Sequence, residues 1–278
     1  MDFKIALIGF GEAGSTFAAA ADWGGQARGW DILPQRCAAM AVAGVTMAGD
    51  AAGALAGADL VLSLVTADAA LSAAQDYGSL LKTGAVWCDM NSVAPETKRA
   101  ASQAIEAAGG RYVDVAVLAP VHPARLKVPL LIAGPASDQG EALLRAAGFT
   151  DTRVVGNEVG RASAIKMIRS VMVKGIEALT AEMMLAARAA GVEDEVLASL
   201  DASEKARSWQ NRADYNLERM VTHGVRRAAE MEESAKTLAA LGVDPVMTRG
   251  TVARQAAMAG QRQHLAPQPR QETRSDAA

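Results

Sequence analysis

Apolar positions in the first half of the chain come in short unbroken runs, whereas in the second half they recur at helical spacing. FKIALIG (3–9) has no polar residue after Lys4, as expected of a strand covered on both faces. ADLVLSLVT (58–66) and AVWCDM (85–90) repeat the pattern, and QARGWDI, GVTMA, YVDVAVLAP, VPLLIAG and TRVVG are further strand runs. Helical stretches separate them. STFAAAADW stops at Gly24-Gly25, one helix opens at Pro34 and another lies between the runs at 58–66 and 85–90. PETKRAASQAIEAAG opens at Pro95 and ends on Gly109-Gly110, and a further helix falls near 138–147. Strands alternating with helices predict an α/β fold, a Rossmann-type doubly wound and mostly parallel sheet.

From residue 160 the strands disappear. GRASAIKMIRSVMVKGIEALTAEMMLAARAAG has no proline and one interior glycine, Gly175. Roughly thirty residues of good helix formers make a rod of about 45 Å. Apolar residues occupy most of its faces, so other helices must cover it, those of a second subunit included. Segments near 193–200, 203–221, 222–241 and 245–260 read as further helices, and LGVDP (241–245) as a stop and restart. The organisation expected is a Rossmann domain over 1–157, an all-helical domain over 158–262 built on the long helix, and a disordered polar tail over 263–278.

Composition narrows the function classes. A net charge of −3 over 278 residues gives no footprint for nucleic acid or an anionic membrane. No apolar run approaches the ~18 residues of a membrane span, and the N-terminus reads as strand and turn rather than a secretory leader, so a cytoplasmic protein is expected. Cys37 and Cys88 are too few for a disulfide framework, and His122, His223 and His264 are isolated, so no metal site is expected.

The candidate chemistry begins at GFGEAG. Gly9, Gly11 and Gly14 have the spacing of a dinucleotide turn, following a strand and opening a helix, with Phe10, Glu12 and Ala13 between them. Asp31, closing the second strand run, is placed to accept hydrogen bonds from a ribose, the alternative being an ordinary turn aspartate ahead of Pro34. A carboxylate there repels a 2′-phosphate and favours NAD, while Arg28 and Arg36 leave NADP open. Asp89-Met90-Asn91-Ser92 ends another strand run on the crevice side of such a sheet. Asn91 or Ser92 either presents its polar group to a ligand or starts the helix entered at Pro95. Asp114 closes a similar strand end, ahead of His122 and Lys127. Lys166, among Ile165, Met167 and Ile168, either snorkels to solvent or is held in a cleft for chemistry.

The order GFGEAG, DMNSVAP, VDVAVLAPV, GRASAIKMIRS resembles the β-hydroxyacid dehydrogenase superfamily, which includes 3-hydroxyisobutyrate, tartronate semialdehyde and 6-phosphogluconate dehydrogenases. The resemblance runs from residue 3 to about 260 and is nearest to a branch of NAD-binding 6-phosphogluconate dehydrogenase-like proteins, through LKVPLLIAG, KGIEAL and RRAAEMEE. It implies that Gly9 to Gly14, Asp31, Val65 and Thr66 hold the dinucleotide. Asn91 and Ser92 would lie beside the nicotinamide and the substrate, and Lys166 would be the general acid/base of hydride transfer on a small hydroxy acid. His122, Ser170 and Lys174 are the further substrate-contact candidates, with Lys174 also able to pair with Glu177 or Glu182.

The chain departs from the family pattern in several places. Ser170 stands where an asparagine is usual and Arg169 where phosphogluconate dehydrogenases have histidine. Ala119-Pro120 replaces a glycine pair, and Ala229-Glu230 replaces a late Lys-Asp pair. Together they argue against 6-phosphogluconate as substrate. An imine-reductase-like enzyme and a non-catalytic NAD(P)-binding redox sensor are the alternatives; the former usually lacks this lysine and the latter has no need of it. A homodimer through the helical domain is expected, from the long helix and from the resemblance alike.

Overall fold

The computed structural model describes residues 3–23, 25–203 and 208–262. The tail expected over 263–278, with His264, lies outside the described residues. The chain divides into two compact units, Met1–Val171 and Met172–Ala278.

The first unit is built on an eight-stranded sheet. Its strands are β1 (Ile5–Ile8), β2 (Ala27–Trp30), β3 (Thr46–Met47), β4 (Leu60–Ser63), β5 (Val86–Asp89), β6 (Arg111–Val117), β7 (Leu130–Ala133) and β8 (Thr152–Gly156). Their spatial order is β3-β2-β1-β4-β5-β6-β7-β8. Neighbours are parallel except β6 and β7, which pair antiparallel with Asp114 opposite Ala133 and Val117 opposite Leu130. The connection between those two holds only a 3-10 turn at Arg125–Lys127, with no helix to carry the chain back for a parallel return.

The helices of this unit are α1 (Glu12–Ala20), α2 (Arg36–Val42), α3 (Ala51–Leu55), α4 (Ala70–Tyr77), α5 (Pro95–Ala107) and α6 (Ser137–Ala146). The unbroken apolar strand runs are buried on both sides, with alternate residues feeding two cores. Leu7, Leu62 and Cys88 pack with Phe17 of α1, Met40 of α2 and Leu144 of α6. Ala6, Ile8, Val61 and Trp87 pack with Leu55 of α3, Ala74 of α4 and Ile105 of α5. Phe17 meets Phe149 edge to face at 5.0 Å, the arrangement the ring quadrupoles favour. The chain leaves β1 toward β2 on one side and returns to β4 on the other, so a crevice opens at the C-terminal ends of β1 and β4.

The next helix, α7, spans Arg161–Ala190, as long as its sequence predicts. Its first turn belongs to the sheet unit, where Ala162 is buried with Ala116, Leu131 and Ala133.

In the second unit α8 (Glu193–Ser203), α9 (Trp209–Ala240) and α10 (Val246–Met258) follow the rest of α7. The two segments expected to meet near 221–222 are one continuous helix, α9. Gly224 does not break it, because α10 lies so close that only a glycine fits: a Cβ there would stand 2.3 Å from the Gln255 carbonyl oxygen. Glu182 of α7 caps α10. Its carboxylate accepts from the N–H groups of Met247 at 2.7 Å and Thr248 at 2.9 Å, and from the Thr248 hydroxyl at 2.5 Å. Among the described residues no helix is long and apolar enough to cross a membrane.

Two stability outcomes follow from the helical unit. Gly224→Ala gains roughly 1 kcal/mol of helix propensity, but the overlap with a backbone oxygen outweighs it, for a net loss of about 2 kcal/mol in chemical denaturation. At Glu182 desolvation raises the carboxyl, yet the bonds from Thr248 and Met247 and the charge of Arg249 outweigh it and hold the group below its usual range. A lowered folded value contributes stability that is complete above the unfolded value and is lost as pH falls through the folded one. Glu182→Gln therefore lowers the melting temperature at neutral pH, and the gap from wild type closes on acidification below about pH 4.5.

Candidate functional site

The turn after β1 contains glycines of two kinds. Gly9 has φ of +90°, and a Cβ there would lie 2.6 Å from the Leu64 carbonyl oxygen; at Gly14 it would lie 2.9 Å from the Gly9 carbonyl oxygen. Both are demanded by the fold. Gly11 is different: it precedes α1 with no side-chain cap, and a Cβ would meet nothing within 4 Å. Its empty side is where a bound group can approach the backbone, and the unpaired amides at the start of α1 favour an anion there.

The expected neighbours divide accordingly. Phe10 sends its ring into the core and keeps only its backbone at the turn, donating its N–H to Asp31 Oδ2 at 2.7 Å. Glu12 and Ala13 open α1, with Glu12 exposed. Asp31 Oδ1 accepts from the Leu33 N–H at 2.9 Å, so the carboxylate is held from both sides. A cleft of about 290 Å³ adjoins it, lined by Trp30, Asp31, Leu33, Pro34, Met47 and Gly49 among others. Val65 and Thr66 leave the end of β4, which is tied to β1 by the Leu64 N–H donating to the Ile8 carbonyl at 2.8 Å.

At the end of β5 neither Asn91 nor Ser92 caps the next helix. The residue before Pro95 in that role is Ala94, with no side-chain bond. Asn91 is buried; its Nδ2 donates to Ser63 Oγ at 3.0 Å and to Asp89 Oδ1 at 2.8 Å, and its N–H to Asp89 Oδ1 at 2.9 Å. Asn91 Oδ1 has no hydrogen-bond partner. A buried, unsatisfied acceptor beside the crevice suits a ligand that brings a donor.

Beneath the loop lies a fully buried ionic network. Lys98 Nζ sits 3.0 Å from Asp89 Oδ1 and 3.5 Å from Asp114 Oδ1, with all three side chains at 0–1% exposure. It also donates to the Asp89 carbonyl at 2.5 Å. Tyr112 donates its hydroxyl to Asp89 Oδ2 at 2.7 Å; burial and the adjacent Asp89 charge push its ionisation well up, so it remains a donor. Asp114 Oδ2 accepts from the N–H groups of Gly160 and Ser163, both at 3.1 Å, and from Ser163 Oγ at 3.3 Å. A β6 carboxylate thus caps the start of α7.

One turn further along α7, Lys166 Nζ donates to Ser92 Oγ at 2.5 Å. Residues 74 positions apart are thereby joined at the crevice edge of the sheet. Arg169 Nη1 donates to the Leu118 carbonyl at 3.2 Å, tying the same helix to the β6–β7 connection. Ser170 is half-buried on α7 and Lys174 is exposed in the second unit. Glu182, one of the partners weighed for Lys174, is committed to α10.

His122 is positioned elsewhere. Its Nε2 shares a hydrogen bond with Thr16 Oγ1 of α1 at 2.9 Å, and it lines a cavity of about 630 Å³ with Arg125, Lys127 and Thr150. Neither Ser92 nor Lys166 lines that cavity.

Lys98, Tyr112 and Ser163 were not legible as site-building residues. Lys98 did leave a signal: with Ala101 and Ile105 it falls on the buried stripe of α5, where a lysine needs a buried counter-charge. Which carboxylates supplied it was hidden, since they come from two other strands.

Residues 4–156 match the family described as the NAD binding domain of 6-phosphogluconate dehydrogenase, and residues 187–258 match a domain of unknown function, DUF1932. A conserved hypothetical protein of Sinorhizobium meliloti 1021 is 39% identical, over 92% of this chain and 88% of that one, with a TM-score of 0.61. The conserved protein MTH1747, of unknown function and structurally similar to 3-hydroxyacid dehydrogenases, is 30% identical over 95% of this chain and 100% of its own, at TM-score 0.60. An imine reductase from Myxococcus stipitatus in complex with NADP+ is 18% identical over 91% of this chain and 93% of that one, at TM-score 0.74. At that identity the likeness is one of fold.

The glycine geometry has a direct consequence. Gly9→Ala strains a left-handed residue against the Leu64 carbonyl and lowers the melting temperature by several degrees, about 2 kcal/mol or more. Gly11→Ala leaves the melting curve within about 1 °C of wild type, since the added methyl meets no protein atom.

Proposed function

The chain belongs to the family of the NAD binding domain of 6-phosphogluconate dehydrogenase, and from that premise we propose that it is an oxidoreductase of small hydroxy acids or their oxo partners, with Lys166 as general acid/base. The observation that carries the reading is the contact of Lys166 Nζ with Ser92 Oγ, on the same edge of the sheet as the glycine turn. The residues present fit a dinucleotide: Gly11 leaves room at the backbone, the Asp31 carboxylate is held fixed beyond the end of β2, and Asn91 Oδ1 has no partner within the protein. The turn from Gly9 to Gly14, with Phe10, Glu12 and Ala13, would hold the pyrophosphate beside the backbone at Gly11, and Asp31, Val65, Thr66 and Asn91 would complete the cofactor contacts. When bound, the nicotinamide supplies the acceptor or donor of hydride.

The protein's own part is proton handling. In the alcohol-to-carbonyl direction Lys166 Nζ takes the hydroxyl proton, and in reverse it returns one to the developing alkoxide. Ser92 Oγ holds the amine in place and offers a hydroxyl to the same substrate oxygen. Ser170, one turn beyond Lys166 on the same face of α7, is the further substrate contact. The fixed carboxylate of Asp31 opposes a 2′-phosphate, which makes NAD the favoured cofactor over NADP.

The reading extends to a homodimer. Ile168 and Val171 of α7 are 73% and 76% exposed, and Met172, Ile176 and Leu179 of the same helix 45–48%. Contiguous apolar surface of this kind marks an interaction site, and a second copy of the helical domain is the occupant a long central helix suits.

Turnover against a panel of hydroxy acids and oxo acids tests the chemistry. Lys166→Ala is expected to lose ~10²–10⁴ in kcat while NAD+ still binds; undiminished turnover in that variant would sink the mechanism. Gly11→Ala is expected to weaken NAD+ binding about tenfold or more through the crowded pyrophosphate position. Sedimentation at low micromolar concentration should show a dimer, and monomer alone would refute that part.

A further inference from the structure

We infer that Lys98 is a positioning residue: its buried ammonium ties the Asn91 loop to the start of α7 and so sets where Asn91 and Lys166 stand. This rests on the reading that Asn91 faces the dinucleotide and Lys166 the substrate.

Lys98 is fully buried, and its ammonium bonds to the Asp89 and Val115 carbonyls. Its contacts divide into two arms. One runs through Asp89, whose Oδ1 meets Lys98 Nζ at 3.0 Å and also accepts from the N–H and Nδ2 of Asn91. The other runs through Asp114, 3.5 Å away, whose second oxygen holds Gly160 and Ser163 at the first turn of α7, one turn before Lys166. Asp114 Oδ1 has no hydrogen bond, so the charge of Lys98 is what balances it. The groups facing the ammonium are the Asp89 carboxylate and carbonyl with the Cys88 thiol from β5, and the Asp114 carboxylate and Val115 carbonyl from β6, while Tyr112 and Ser163 reach the two carboxylates from behind.

A buried lysine that served packing alone could be exchanged for an apolar residue at little cost. Here the exchange leaves two carboxylates facing each other in a dry site. They cannot both remain charged, so one must take up a proton or swing away. Swinging away drags the Asn91 loop or the α7 cap with it. The arrangement predicts a pH signature that packing would not give: acid restores in the variant what Lys98 supplies in the wild type.

The test is NAD+ binding by calorimetry between about pH 5.5 and 8.5 on wild type, Lys98→Met and Asn91→Ala. The rate at which the Lys166 amine reacts with an amine-selective reagent is read alongside by peptide mapping. Lys98→Met is expected to bind at least about tenfold more weakly at the alkaline end, to regain most of that on acidification, and to shift the Lys166 rate about threefold or more. Wild-type affinity and rate in Lys98→Met overturn the inference, as does weak binding that acid does not restore. If Lys98→Met fails to fold, Asp114→Asn cuts only the α7 arm: the Lys166 rate should shift while NAD+ affinity stays within about twofold, and an unchanged rate overturns the inference. Asn91→Ala without effect on NAD+ binding would instead sink the reading of the site, independently of Lys98.

Discussion

The site depends on one buried charge arrangement, a single lysine from α5 between carboxylates from β5 and β6. Removing three charges from water is costly, and attraction recovers that cost only when the remaining lone pairs and protons are also satisfied. They nearly are. Tyr112, Asn91, Gly160 and Ser163 supply donors to the two carboxylates, and strand carbonyls accept from the ammonium. Asn91 lies in the loop that leaves β5, and Gly160 and Ser163 lie at the start of α7. The polar network is therefore less a source of stability than a frame in which a loop and a helix have one position each.

Around that frame the fold supplies rigidity by ordinary means. Strand runs apolar on both faces bury alternate side chains in two cores, which leaves the C-terminal ends of β1, β4 and β5 as fixed points. Turns that leave those ends carry the chemistry-bearing side chains. Gly9 and Gly14 belong to this rigid part, because backbone oxygens stand where their side chains would go. Gly11 does not. The same six-residue turn thus contains two glycines required by folding and one, Gly11, that no protein contact requires.

Likeness in shape and likeness in sequence do not run together among the solved structures. The imine reductase overlays with the higher TM-score at 18% identity, whereas the S. meliloti protein is 39% identical at a lower one. A shared architecture leaves the chemistry open, since function sits in particular side chains placed on a common scaffold. In this chain Lys166 and Ser92 meet, and Arg169 and Ser170 on the same helix depart from the family pattern. Arg169 is engaged with the Leu118 carbonyl, an anchor of the β6–β7 connection rather than a stand-in for an imidazole.

What the sequence by itself determined is what short-range periodicity and turn chemistry encode. Eight strands, the glycine turn, the proline-led α5 and the length of α7 are each written within a few dozen consecutive residues. Short or exceptional elements escaped: α3 is five residues stabilised by Asp50 accepting from the Gly53 N–H, and the segments expected over 203–221 and 222–241 are joined in one helix, α9, whose Gly224 lets α10 pack against it. At the site, the glycines, Asp31, Asn91, Ser92 and Lys166 could be named from local context and resemblance. Their partners could not, because a hydrogen bond spanning 74 residues leaves no local trace. Only the tertiary structure decided that Asn91 and Ser92 turn away from the helix start, that His122 turns to α1, and that Lys98 is buried between Asp89 and Asp114. Each is a choice among partners that are equally near in sequence terms and become distinguishable only when separate strands are brought side by side and water is excluded.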